Sequence, residues 1–201
     1  MQVALFATAY FPSVEYVHYL LQFEKIVIEG QEYFPKQTNR NRCHLLGPNG
    51  VQSIFIPLVQ THAKTLSAAI EIDFSVDWKT QHWRSIETAY NRSAFFEFYK
   101  DELSELFFRK EVSLLKFNLS LLEFVLSKLK QPRQFEFSTS FEEKTDNDWR
   151  KLSGKKNNGL VLDDTMLKKY PQVFSYKYAF TENLSVLDLL FNAGRDTVRY
   201  L

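Results

Sequence analysis

The chain is predicted to be a mixed α/β protein, an α+β arrangement in which an N-terminal mixed sheet with a βαβ start packs against a mostly helical middle and C-terminal part. Three observations predict it. Strand-like, helix-like and strand-like segments follow one another between Val3 and Glu29. Pro48-Asn49-Gly50, a strong turn signal, separates two apolar stretches. From Trp78 to Leu129 the apolar residues recur at helical spacing instead of alternating.

Taken in order, Val3–Phe6 reads as a strand closed by Tyr10-Phe11-Pro12. Pro12 fits a helix start, and Val14, Val17 and Leu21 have helical spacing up to about residue 23. Ile26, Val27 and Ile28 form a second strand, and the intervening helix lets the two strands pair in parallel. Residues 32–36 are expected to continue on a neighbour, 42–46 and 51–59 to form a hairpin, and 70–74 to add a strand. Together they predict a sheet of about five or six strands. Helices are expected over 78–90, 94–108 and 111–129. The last carries Leu114, Leu115, Leu119, Leu122, Val125, Leu126 and Leu129 over more than half its circumference, as a core helix does. Residues 134–137 read as a strand, 142–159 as an irregular loop able to close over a ligand, and 176–180 as a further strand. Ser185 opens a short helix and Gly194 caps it.

Length and composition fit a single domain over 1–201. With 19 Phe and only 6 Gly and 6 Pro among 201 residues, the chain can bury a core and does not read as disordered. The formal net charge of +1 removes the electrostatic case for broad nucleic-acid binding but leaves room for a local anion site. Cys43 is the sole cysteine, so no internal disulfide can form. The apolar start lacks a basic n-region and reads as a buried strand, and no stretch approaches the roughly 18 apolar residues of a membrane span. A cytoplasmic location is expected. Oligomeric state is not readable.

The densest array of polar donors is Lys36-Gln37-Thr38-Asn39-Arg40-Asn41-Arg42. On an extended backbone Arg40 and Arg42 share one face, with Asn39 and Asn41 on the other. Guanidiniums bind carboxylate or phosphate through paired donors, and carboxamides read hydroxyls. The plainer alternative is a solvated edge, or a salt-bridge network with Glu29, Glu32 and Glu87. On the helix of residues 78–90, Trp78, Trp83, Ile86, Ala89 and Tyr90 share a face and His82 falls inside that arc. The imidazole is then either a satisfied core group or an acid–base in a cleft. Asn118 sits at the centre of the apolar face of the long helix, where its amide needs partners or a polar pocket. Cys43-His44 cannot act as a catalytic pair, because adjacent strand residues face opposite ways. No His or Cys spacing suggests zinc, and no glycine-rich phosphate loop or nucleophile elbow appears, so no metal or cofactor is expected.

The ordered residues Tyr10-Phe11-Pro12, Glu15-Tyr16, Val27-Ile28-Glu29, Tyr33, Lys36-Gln37, Arg40-Asn41-Arg42-Cys43, Asn49-Gly50 and Ile56-Pro57 resemble the WbqC-like family. The similarity runs on through Trp78, His82-Trp83, Ile86-Glu87, Ala89-Tyr90, Phe95-Phe96, Tyr99, Trp149-Arg150 and Pro171-Gln172-Val173-Phe174. It ends in the stretch from Leu184 to Gly194. The form is similar to the compact version of Bacteroidetes-type bacteria. It departs at Thr8-Ala9, where many relatives carry Gln-Pro. The resemblance implies a bacterial protein linked to surface-polysaccharide (O-antigen or capsule) assembly. Two readings follow. One is a transferase that adds an acyl or aminoacyl group to a nucleotide-linked amino sugar, a small anionic ligand. In it Lys36, Arg40 and Arg42 meet phosphate, Asn39 or Asn41 reads hydroxyls, His82 is the catalytic base, and Tyr10 and Tyr90 give stacking surface. The other is a non-catalytic binding or scaffolding protein of the same system.

Overall fold

The structure is a computed structural model and describes residues 3–60, 62, 64–143, 145–154 and 168–201. Strand β1 (Val3–Phe6), helix α1 (Val14–Leu20) and strand β2 (Lys25–Ile28) form the βαβ start. β1 and β2 pair in parallel with Val3 opposite Lys25 and Phe6 opposite Ile28. Ser13 caps α1 by accepting from the Tyr16 N–H at 3.3 Å, and Tyr16, Val17 and Leu20 bury the helix against the sheet.

The remaining strands divide. Strand β3 (Arg42–Gly47) and strand β4 (Gly50–Phe55) make a separate antiparallel hairpin. Gly50, at φ +99°, supplies the left-handed backbone of its turn. Strand β5 (Gln134–Phe137) comes from far along the chain to pair in parallel with β2, giving the order β1-β2-β5. The free edge of β1 is closed by the loop that follows β5. Leu5 N–H donates to Asn147 O at 3.0 Å, and Trp149 N–H to Leu5 O at 2.8 Å. Part of the loop expected over 142–159 is thus docked on the sheet and continues into a 3-10 turn, Arg150–Ser153. Residues 144 and 155–159 of it lie outside the described residues.

Three expected strands take other forms. Only single bridges form in the first two, Tyr33 with Leu66 and then Leu58 with Ile72 and Glu71 with Ser113. Residues 173–177 coil into turns because Lys177 and Tyr178 both donate to Phe174 O at 2.9 Å.

Helix α2 (Trp78–Tyr90), helix α3 (Phe96–Phe108), helix α4 (Leu114–Lys128) and helix α5 (Val186–Ala193) complete the fold. One continuous apolar cluster joins them to β1, β2 and the hairpin. α4 buries Leu115, Leu122, Val125 and Leu126, while Leu119 lies at the margin of that core. Gly194 ends α5 at φ +58°, where a β-carbon would stand 2.7 Å from the Phe95 ring. Among the described residues no helix is long and apolar enough to cross a membrane.

Candidate functional site

The cationic run is not an extended strand. Residues 36–41 turn, with Gln37 at φ +60°, and only Arg42 belongs to β3. The turn separates the two arginines that alternation would have paired. Arg40 folds inward and is 4% exposed. Its Nε and Nη2 donate to Glu32 Oε1 at 2.8 and 2.6 Å, and its Nη1 to Ser153 O at 3.1 Å. Its own carbonyl accepts from Asn118 Nδ2 at 2.6 Å. The guanidinium is therefore satisfied internally and ties the turn to the 3-10 turn near residue 153 and to α4. A second buried pair, Arg150 with Glu29 at 3.2 Å and Asp148 at 2.6 Å, stands close by.

The rest of the run is spent unevenly. Lys36 is exposed. Asn39 accepts from the Tyr10 N–H at 2.9 Å through its carbonyl, and Asn41 Nδ2 donates to Ile56 O at 2.9 Å, fastening the start of the hairpin. Arg42 differs from Arg40 in every respect. It is half-buried, no carboxylate pairs with it among the described residues, and its Nε is buried without a hydrogen bond. Its guanidinium lies 5.8 Å from the centre of the Phe55 ring, its partner across the hairpin.

Phe55 also reaches the histidine. Strand alternation turns the Ile56 backbone toward β3 and the Phe55 carbonyl away from it, toward α2. His82 makes a backbone hydrogen bond to Phe55, and Tyr10 Oη stands 2.9 Å from His82 Nδ1. A carbonyl can only accept, so the nitrogen facing Phe55 carries the proton, and Nδ1 accepts from the Tyr10 hydroxyl. Trp78 meets the ring edge-on at 5.0 Å. Burial pushes the His82 pKa down to about 4, and the bond to Phe55 opposes this only in part. At neutral pH the ring is an uncharged bridge between Tyr10 and β4. It is 6% exposed.

Tyr90, on the same face of α2, belongs to a second centre. There Asp188 of α5 is 1% exposed, and its Oδ2 accepts from Tyr170 Oη and Gln172 Nε2, each at 2.9 Å. The Tyr90 hydroxyl interacts with Asp188 but lacks a hydrogen bond of ordinary length, and its ring packs on Phe191 at 5.2 Å. Burial pushes the Asp188 pKa up to about 6 against the pull of these donors. Sequence reasoning passed over this centre. Its signal was an acid on α5 flanked on both sides by Val186, Leu187, Leu189 and Leu190, all buried. Cys43 is buried and acts electrostatically on both Tyr10 and Tyr90.

The structure thus brings Tyr10 and His82 into contact and sets Arg42 beside them through Phe55. It places Arg40 in an internal ion pair and Tyr90 in the other centre. Among the described residues no cluster of three or more His, Cys, Asp or Glu is arranged to hold a metal.

Residues 8–156 match the WbqC-like protein family, which spans both the arginine turn and the Tyr10–His82 pair, and the chain belongs to that family. It is also similar to the uncharacterized protein Rv1507c of Mycobacterium tuberculosis (strain ATCC 25618 / H37Rv), at 24% identity over 227 residues, covering 100% of this chain and 97% of that protein. No solved structure is a significant match.

Proposed function

We propose that this chain is a cytoplasmic, single-domain binding protein of bacterial surface-polysaccharide assembly that holds an anionic, activated sugar, such as a nucleotide-linked amino sugar. The observation that carries the reading is the contrast at Arg42. It keeps a guanidinium without a carboxylate partner, and a buried donor without an acceptor, beside an apolar ring. A phosphate meeting the outer Nη groups, which are not enclosed as Nε is, would supply the missing charge and an acceptor for the guanidinium. Exposed Lys36 and the Asn39 amide lie on the turn leading into it and would extend the contact to the sugar.

The transferase reading would make His82 a general base. Its low pKa supports that role, since the ring is unprotonated at neutral pH. Its geometry supports a positioning role instead, because Tyr10 and Phe55 occupy both ring nitrogens. Binding without catalysis is the reading the geometry favours. The test is calorimetric titration of the folded protein with nucleotide-linked amino sugars, with Arg42→Ala and His82→Gln variants alongside. Arg42→Ala should weaken binding at least about tenfold, equivalent to about 1.4 kcal/mol. Unchanged affinity in that variant would remove the site.

A further inference from the structure

Beside His82 on α2, and unused by the anion site, Lys79 is 8% exposed. Its Nζ donates to Arg109 O, the C-cap of α3, at 2.6 Å. Around it stand the faces of Phe117 at 4.9 Å, Phe74 and Trp78 at 5.6 Å, and Phe107 at 5.8 Å. No carboxylate pairs with it among the described residues.

An ammonium has three donors, and one is used here. Aromatic faces attract the charge but accept no strong hydrogen bond, and among the described residues the other N–H groups meet no second protein acceptor. Capping a helix C-terminus returns little, and a charge held among apolar rings without a carboxylate partner is costly. A methionine would fill the same space without that cost. The amine is therefore poorly explained by packing alone.

Lys79 also lines an open surface pocket of about 460 Å3 bordered by Phe74, Val76, Trp78 and Phe108. Phe74, Val76 and Phe108 are exposed by 40%, 53% and 44%, large apolar surfaces gathered at one opening. A volume of this size holds a small molecule. We propose that this pocket binds a small apolar carboxylic acid, an aryl carboxylate above all, with its carboxylate on Lys79 Nζ and its ring against Phe74 and Phe108. The carboxylate supplies the acceptors the ammonium lacks, and the apolar body covers the exposed rings. This site is separate from the one at Arg42 and stands or falls independently of it.

The other charged groups near Nζ are few. Glu111, on the link between α3 and α4, favours the ammonium from a distance. Asp77, on the pocket wall, is engaged as the N-cap of α2, accepting from the Thr80 N–H at 3.3 Å. The Arg109 guanidinium is turned to Glu105, at 2.6 Å. Burial lowers the Lys79 pKa to about 8, so the free pocket loses its charge just above neutral pH. Anion binding must then weaken as that proton leaves.

The experiment titrates the intact protein with benzoate and with benzamide, its uncharged analogue, following resonances of the residues around the pocket. Benzoate should saturate and bind at least tenfold more tightly than benzamide at pH 7. Its affinity should fall roughly tenfold between pH 7 and pH 9, the loss set by a lysine titrating near 8. Lys79→Met should abolish the preference for benzoate, while Lys79→Arg should keep it and remove the pH dependence. Equal binding of the two probes, no saturable binding of either, or a benzoate affinity unchanged in Lys79→Met would each overturn the proposal.

Discussion

Helix α2 connects two buried polar centres that solve the same physical problem in opposite ways. Near its start, His82 is kept neutral, with a pKa of about 4. Near its end, Tyr90 borders Asp188, whose pKa of about 6 still leaves it ionised at pH 7. Burial disfavours charge at both. The difference lies in the partners. Asp188 accepts from Tyr170 and Gln172, enough to hold a carboxylate inside the protein. His82 meets one donor, Tyr10, and one acceptor, Phe55, a pair that suits only the uncharged ring. A buried group keeps its charge where several neighbours stabilise the ion, and loses it where they stabilise the neutral form.

The largest test of that contrast is the pH dependence of stability. The folded pKa of Asp188 lies above its ordinary 3.8, so the native state holds that proton more tightly than the unfolded chain. Its contribution is full below about pH 4 and is lost as pH rises through 6, about 3 kcal/mol in all. His82 has the reverse sign. Its folded pKa lies below 6.5, so its contribution is full above about pH 6.5 and is lost as pH falls through 4, again about 3 kcal/mol. Between pH 4 and 6 the two slopes oppose and nearly cancel. Relative to the native protein, Asp188→Asn should therefore gain stability by about 1.4 kcal/mol per pH unit across that window, and His82→Gln should lose it at the same rate. Urea unfolding at pH 4.5 and 5.5 measures both. Difference profiles that stay flat would show that neither group is buried as described.

These two centres were unequally legible in the sequence. The 100° spacing of α2 put Trp78, His82, Trp83, Ile86, Ala89 and Tyr90 on one face, and all are buried except Trp83, which packs half-buried at the margin of the core. Spacing along the chain also predicted the parallel pairing of β1 and β2, which is a local consequence of the βαβ unit. What was hidden depends on distant chain. Gln172 and Tyr170 reach Asp188 from a segment with no regular structure, and β5 joins β2 across more than the whole helical middle. The arginine run was misleading for a related reason. Alternation assumes a strand, yet residues 36–41 turn because Tyr10, Ser153 and Asn118 supply backbone partners from elsewhere in the fold. Glu32, eight positions before Arg40, was legible as a partner, but nothing local showed that it would choose Arg40 and leave Arg42 without one.

A smaller effect is expected from removing one donor of the charged centre. Gln172 Nε2 donates to Asp188 and to Thr181 O, each at 2.9 Å, and its Oε1 accepts from the Thr181 N–H at the same distance. Gln172→Leu keeps the bulk but strands a buried carboxylate and two backbone groups. It should cost about 2–3 kcal/mol at pH 7, and less at pH 5, where Asp188 holds its proton and has less need of the donor. A cost independent of pH would mean that Gln172 acts only through Thr181.

The smallest effect is the sharpest discriminator, because one substitution applies to both centres. Tyr10→Phe and Tyr170→Phe each delete a hydroxyl that donates to a titrating group, at 2.9 Å in both cases. Each should cost about 1 kcal/mol. In both centres the lost donor had stabilised the deprotonated form, so both pKa values should rise. For His82 a rise moves the group back toward its ordinary value and shrinks its pH dependence. For Asp188 a rise moves the group further from its ordinary value and enlarges it. Histidine and carboxylate resonances followed through a pH titration of the two variants read this directly. Should His82 instead titrate lower in Tyr10→Phe, the hydroxyl would be accepting from the ring, and the assignment of the proton to the nitrogen facing Phe55 would be reversed.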